Sequence, residues 1–121
     1  MQYALVVYET QAELARRDDP AQAQAYWAPY FAYSSALAEA GVAVGGAGLQ
    51  SPRAATSVRL RDGKRQVQDG PFADTKEQLG GLFLIEVPSL DKALEWAARC
   101  PASSTGTVEV RPVLAPPPGA R

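Results

Sequence analysis

Apolar and polar residues alternate in short blocks along this chain, and two longer stretches of helical period interrupt them. Residues 2 to 8 are apolar, β-branched and aromatic in a run too short for a helix, which predicts a strand. Tyr3, Leu5 and Val7 share one face, and Ala4, Val6 and Tyr8 the other. With both faces apolar, the strand is expected near the centre of a sheet. Residues 9 to 17 read as a polar connection with room for a helical turn. Asp19-Pro20 then signals a helix start, with Asp as N-cap, Pro at the first helical position and Gln22 three residues after the cap. Trp27, Tyr30, Phe31, Ser34, Leu37 and Ala38 follow i, i+3, i+4, i+7 spacing and predict one buried face. Core packing against a sheet is the expectation for Trp27 and Phe31. Tyr26 and Tyr33 fall on the flanks, where they could border a pocket or a subunit contact. Pro29 inside the pattern predicts a kink or a break, and Gly41 a C-terminal cap.

Residues 43 to 53 are glycine-rich and lack the spacing of a phosphate-binding loop, so they read as a flexible lead into the next strand. Alternation resumes at Ser57-Val58-Arg59-Leu60-Arg61, with Val58 and Leu60 expected inward. Asp62-Gly63 predicts a hairpin turn and residues 65 to 69 the returning strand. Arg59 and Arg61 either solvate an exposed face or point into a cavity between subunits. Residues 82 to 87 form the most apolar run and predict a central strand, broken only by Glu86. That carboxylate belongs either at a solvated strand end or in a polar cavity with an Arg partner. Ser89 caps a second helix whose stripe is Leu90, Ala93, Leu94 and Ala97, and Pro101 closes it. Cys100 reads as a small apolar filler near the end of that helix. Residues 107 to 113 alternate as a last strand, with Val108 and Val110 opposite Thr107, Glu109 and Arg111.

The order β, α, β-hairpin, β, α, β predicts an α+β fold: a ferredoxin-like, two-layer sandwich of the split βαβ type with an extra hairpin strand. One domain is expected over residues 1 to 114, followed by a Pro-rich tail at 115 to 121. Two helices cover one sheet face. The other carries apolar residues and is expected to pack against a second copy, giving a homodimer through the sheet.

Composition narrows the function classes. A formal net charge of −1 gives no electrostatic case for nucleic acid or an anionic membrane as partner. No apolar run reaches the ~18 residues of a membrane span, and residues 1 to 8 lack a basic leader, so a cytoplasmic location is expected. One cysteine excludes an intrachain disulfide and a cysteine-based zinc cluster. No histidine is present, which removes the usual general base and the commonest metal ligand, and no metal or cofactor is expected.

The chemistry-bearing stretch is 67 to 87. Asp69-Gly70-Pro71 makes a turn, Asp74-Thr75-Lys76-Glu77-Gln78 is densely polar, and Gly80-Gly81 permits close backbone approach before the central strand. Asp69 is the candidate acid or base, with Lys76 and Glu77 tuning it or orienting a substrate. Arg59 and Arg111 are candidates for holding a small anionic ligand through their forked donors. A solvated connection that needed turn residues is the competing reading.

Asp69-Gly70-Pro71-Phe72, followed by Thr75-Lys76-Glu77 and Gly80-Gly81, resembles the signature of the DGPF subfamily of YCII-related proteins. Further matching motifs are the Tyr-rich start, Ala40-Gly41-Val42, Gly46-Ala47-Gly48-Leu49, Ala93-Leu94-Glu95-Trp96-Ala97 and Val108-Glu109-Val110-Arg111-Pro112. The resemblance implies a ferredoxin-like fold assembled as a dimeric α+β barrel. It also implies lyase or isomerase-type chemistry through a His–Asp pair. The Asp corresponds to Asp69; the His is missing where residues 27 to 30 stand. DGPF proteins further resemble partners of sigma factors, which implies a regulatory setting. Three readings follow: a small-molecule-binding or accessory, regulatory module; a His-independent lyase or isomerase using Asp69; and an Asp69 loop that only shapes a turn, with Phe72 plugging the core.

Overall fold

The computed structural model describes residues 1–119. β1 (Gln2–Thr10), α1 (Gln11–Asp18), α2 (Ala23–Glu39) and β2 (Ala43–Gly48) make up the first half. A hairpin of β3 (Thr56–Arg61) and β4 (Lys64–Asp69) follows, then β5 (Glu77–Glu86), α3 (Leu90–Arg99), α4 (Ala102–Thr105) and β6 (Thr107–Pro112). Four strands form one antiparallel sheet in the order β2-β5-β1-β6. That order is the split βαβ arrangement, and the fold is ferredoxin-like α+β.

Register decides what each face carries. Tyr3 pairs with Ile85, Leu5 with Phe83 and Val7 with Gly81. Leu5 pairs with Val110 and Val7 with Val108 on the other side. These residues face α2 and α3 and form the core with Tyr26, Tyr30, Tyr33, Leu37, Ala93, Ala97 and Cys100. Ala4, Val6, Tyr8, Leu82 and Leu84 stand on the opposite face, half-buried, in register with Glu109 and Arg111.

Several elements differ from the sequence pattern. Residues 11 to 18 are a full helix, started by Thr10, whose hydroxyl accepts from the Glu13 backbone N–H at 3.2 Å. Both Leu14 and Arg17 turn inward from it, three residues apart. The Asp19-Pro20 signal makes a turn rather than the first helical residue. The Asp19 carbonyl accepts from the N–H groups of Gln22 and Ala23, its carboxylate accepts from Ala21, and α2 begins at Ala23. Pro29 is exposed, and α2 runs through it as one element.

The buried stripe of α2 keeps Tyr30 and Leu37 of the expected one but takes Tyr26 and Tyr33 in place of Trp27 and Phe31, a rotation of less than the ~100° that one residue spans. Tyr26, Tyr30, Tyr33 and Leu37 face the core, Trp27 is half-buried, and Phe31 is 68% exposed. The reason is polar. All three tyrosine hydroxyls find acceptors on the core side, Tyr33 on the carbonyl of half-buried Trp96 at 2.7 Å and the other two on buried Glu9.

The glycine-rich segment is not a flexible lead. It is the edge strand β2, bonded to β5, and the β3–β4 hairpin forms a separate two-stranded sheet. Val58 and Leu60 therefore point to solvent, not into the core. Asp62 (φ 52°) and Gly63 (φ 73°) make the hairpin turn the sequence predicted. In α3, Ser89 caps as expected, but only Ala93 and Ala97 of the stripe are buried, and Leu90 and Leu94 are about half exposed. Glu86 lies at the solvated end of β5 beside the Met1 ammonium. Residues 115–119 carry no regular element, and the last two residues of the expected tail lie outside the described residues.

Candidate functional site

The residues singled out by the sequence do not converge. Asp69 ends β4, exposed, and Lys76 is exposed on the connection into β5. Glu77 is half-buried at the start of β5. Arg59 lies on the exposed hairpin with its guanidinium 4.7 Å from the Phe72 ring centroid. Phe72 is 76% exposed and does not plug the core. Arg111 is paired with Glu109 on the open sheet face. None of these five candidates lines the cleft described next.

That cleft, of about 460 Å³, opens between α2 and the β2–β5 edge of the sheet. Trp27, Phe31, Tyr26 and Tyr30 wall one side, and Gly45, Gly46, Gly48, Gly80 and Gly81 stand on the other. The glycines allow β2 and β5 to close up. A Cβ on Gly81 would sit 2.7 Å from the Ala47 carbonyl oxygen, and one on Gly46 2.7 Å from that of Leu82. At these glycines the floor carries no side chains, so part of the aromatic wall faces open backbone, beside Val44, Ala47, Leu82 and Phe83. Trp27 stacks on Phe31 with centroids 6.3 Å apart and planes at 22°, so the wall offers flat ring surface.

At the inner end of the cleft lies Glu9, 2% exposed. It belongs to the inward-facing row Tyr3, Leu5, Val7, Glu9 of β1 and so must enter the core side. The Tyr30 hydroxyl donates to its Oε1 at 2.9 Å, and the Tyr26 hydroxyl donates to its Oε2. Each carboxyl oxygen keeps a second lone pair. Burial pushes the Glu9 carboxyl above the ordinary carboxylate range, against the opposing pull of the Tyr30 hydrogen bond and the Arg17 charge. Burial and the neighbouring Glu9 in turn raise Tyr30 far above the ordinary phenol, so its proton stays on.

Arg17 completes the inner end. It is 7% exposed, and its Nε lies 3.6 Å from Asp18 Oδ1. Its Nη2 is buried and finds no hydrogen-bond acceptor among the described residues. The sequence hid this group because Glu9 and Arg17 sit in a stretch whose polarity read as a solvated connection. The usable signal was Thr10-x-x-Glu13, a helix start that fixes which residues turn inward. Among the described residues, no set of three or more His, Cys, Asp or Glu side chains is placed to hold a metal. No helix among them is long and apolar enough to cross a membrane.

Comparison with known proteins follows the fold. The family profile of the YCII-related domain matches residues 1–115. An uncharacterised protein of Rhizobium meliloti is 48% identical over 68 residues, covering 54% of this chain and 55% of that protein. The matched segment therefore spans about half the length of that curated relative. Among solved structures, 5-chloro-2-hydroxyhydroquinone dehydrochlorinase of Burkholderia phenoliruptrix, in complex with 2,5-dihydroxybenzoquinone, superposes with a TM-score of 0.54 at 14% identity, over 94% of each chain. At that identity the likeness speaks for the fold.

Proposed function

Because this chain belongs to the YCII-related family, we propose that it binds a small organic molecule in the Glu9 cleft and moves a proton on it, as lyases and isomerases do. The observation that carries this reading is one carboxyl group, buried in an apolar cleft and held by two tyrosine hydroxyls. A carboxyl raised toward neutrality can both take and return a proton. Ionised Glu9 takes a proton from a carbon next to a carbonyl, and the C–H electron pair moves into the enolate. The proton then returns at another position, or the enolate re-forms its carbonyl as a C=C bond forms and a leaving group departs with the electron pair of its bond, the proton held by Glu9 passing to that leaving group. Tyr26 and Tyr30 fix the carboxyl and, by donating to it, stabilise its ionised form. Glu9 thus takes the acid/base role that the sequence assigned to Asp69.

A cleft of this size falls within the ~300–1,000 Å³ of small-molecule sites. The planar quinone bound by the dehydrochlorinase agrees with a flat slot, as an analogy of fold. The same reading takes the half-apolar face of Ala4, Val6, Tyr8, Leu82 and Leu84 as the contact between two copies. A sigma-factor association, which the DGPF resemblance implies, would have to use surfaces outside the cleft, such as the exposed hairpin.

The test is deuterium incorporation into a panel of small enolisable ketones and keto acids in D2O, followed by proton NMR. Wild-type protein is expected to accelerate exchange of at least one member, and Glu9→Gln, with its fold intact, to lose that acceleration. Equal exchange by both proteins would overturn the assignment of Glu9. Binding without any exchange would leave a ligand-binding module and refute the enzyme.

A further inference from the structure

The buried Arg17 guanidinium has no role in the proton transfer. Its Nε is served by Asp18, whereas Nη2 has no acceptor among the described residues. A buried donor without an acceptor is costly, and more so when charged, so such a group needs a reason. Arg17 lines two spaces at once, the Glu9 cleft and an adjoining groove bordered by Gly48, Leu49, Ser51 and Arg53. It therefore stands where a ring held in the cleft would present a substituent. The charges near it are Asp18 beside its Nε, Arg53 along the groove and Glu9 in the cleft, with Glu13 and Arg16 acting on Glu9 from outside the cleft.

We infer that the cleft selects a planar ring carrying an anionic oxygen, the ring lying between the aromatic wall of α2 and the glycine floor and the oxygen accepting from Arg17. This rests on the cleft being the functional site. The wall recognises a flat π-face, because Trp27 and Phe31 present stacked ring planes and the glycines of β2 and β5 leave backbone uncovered on the opposite side. The guanidinium recognises the oxygen, because a planar fork with an unused donor is matched by a carboxylate or an enolate.

The experiment follows Trp27 and Trp96 fluorescence, with calorimetry, as benzoate, 4-nitrophenolate and neutral benzamide are added. The proteins are the wild type, Arg17→Met, Arg17→Lys and Glu9→Gln, each first shown to be folded by circular dichroism. Benzoate or the phenolate is expected to bind roughly ten- to a hundredfold tighter than benzamide, the factor one charge-assisted hydrogen bond supplies. A preference for benzoate over the phenolate identifies a carboxylate source; the reverse identifies an enolate or phenolate. Arg17→Met is expected to erase the preference for the anion and Arg17→Lys to keep part of it. Glu9→Gln should keep anion binding while losing proton exchange, which separates this inference from the acid/base assignment. Equal affinity for benzoate and benzamide, anion binding unchanged in Arg17→Met, or no binding of either ring would each overturn the inference.

Discussion

Tyr30→Phe removes one oxygen from the centre of the cleft and should reveal the state of Glu9. The Tyr30 hydroxyl donates to Oε1 at 2.9 Å, with both residues buried. Against a neutral carboxyl, losing that bond costs about 0.5–1.5 kcal/mol; against an ionised one, about 1.5–3 kcal/mol. The sign with pH follows from linkage. The pKa of Glu9 is raised on folding, chiefly by burial. Its protonation therefore favours the folded chain in full below the ordinary glutamate value, and this contribution is lost as pH rises through the folded pKa. The Tyr30 bond pulls that pKa down, so the phenylalanine variant must have a higher one and lose more stability over the same rise. Urea unfolding of both proteins, from the ordinary carboxylate range up to neutral pH and beyond, reads the difference directly. The gap is expected to widen with pH, by roughly 4 °C in melting temperature for each kcal/mol in a chain of this size. Carbon-13 NMR of the Glu9 carboxyl should show the upward shift independently. A gap that stays constant with pH, or a Glu9 pKa that falls in the variant, would refute the reasoning.

Three further outcomes are expected. Gly81→Ala places a Cβ 2.7 Å from the Ala47 carbonyl oxygen, a backbone atom, and should destabilise by about 1–3 kcal/mol in urea. Gly80→Ala meets the Glu9 Cγ at 3.3 Å and no backbone atom nearer than the Val7 carbonyl oxygen at 3.9 Å, and should cost less; equal losses would discredit close backbone approach as the reason for these glycines. Phe72→Ala should cost no more than about 0.5–1 kcal/mol, the worth of its exposed contact with Arg59, and a loss typical of a core aromatic would restore it to the core. By light scattering the wild type is expected to run as a dimer and Val6→Lys, in the middle of the open sheet face, as a monomer that still binds the ring; a monomeric wild type, or an unchanged mass in the variant, would remove that face as the contact.

What the sequence determined by itself is the set of local patterns that need only neighbouring residues. Nearly unbroken apolar runs in residues 2 to 8 and 82 to 87 specify two central strands, because a strand covered on both faces must be apolar throughout. Asp62-Gly63 specifies a turn through the backbone conformation those residues tolerate, and Ser89 a helix start through its hydroxyl. With element order and connection handedness, these suffice for a ferredoxin-like fold. Tertiary structure alone decided the site. Polar residues read locally as surface, so Glu9 and Arg17 looked like parts of a connection, and only the pairing of β1 with α2 shows them buried together. The face that α2 presents was likewise open, since a tyrosine stripe and a Trp–Phe stripe have similar periodicity. Tyr26 and Tyr30 turn inward because Glu9, 17 and 21 positions earlier in the chain, offers both hydroxyls an acceptor. The dense polarity of residues 69 to 77 pointed outward for the opposite reason: hairpin β3–β4 pairs only with itself and brings no cavity to Asp69. Hydrogen bonds between distant residues choose among faces that local hydrophobicity leaves nearly equal, and the candidate site lies where that choice was made.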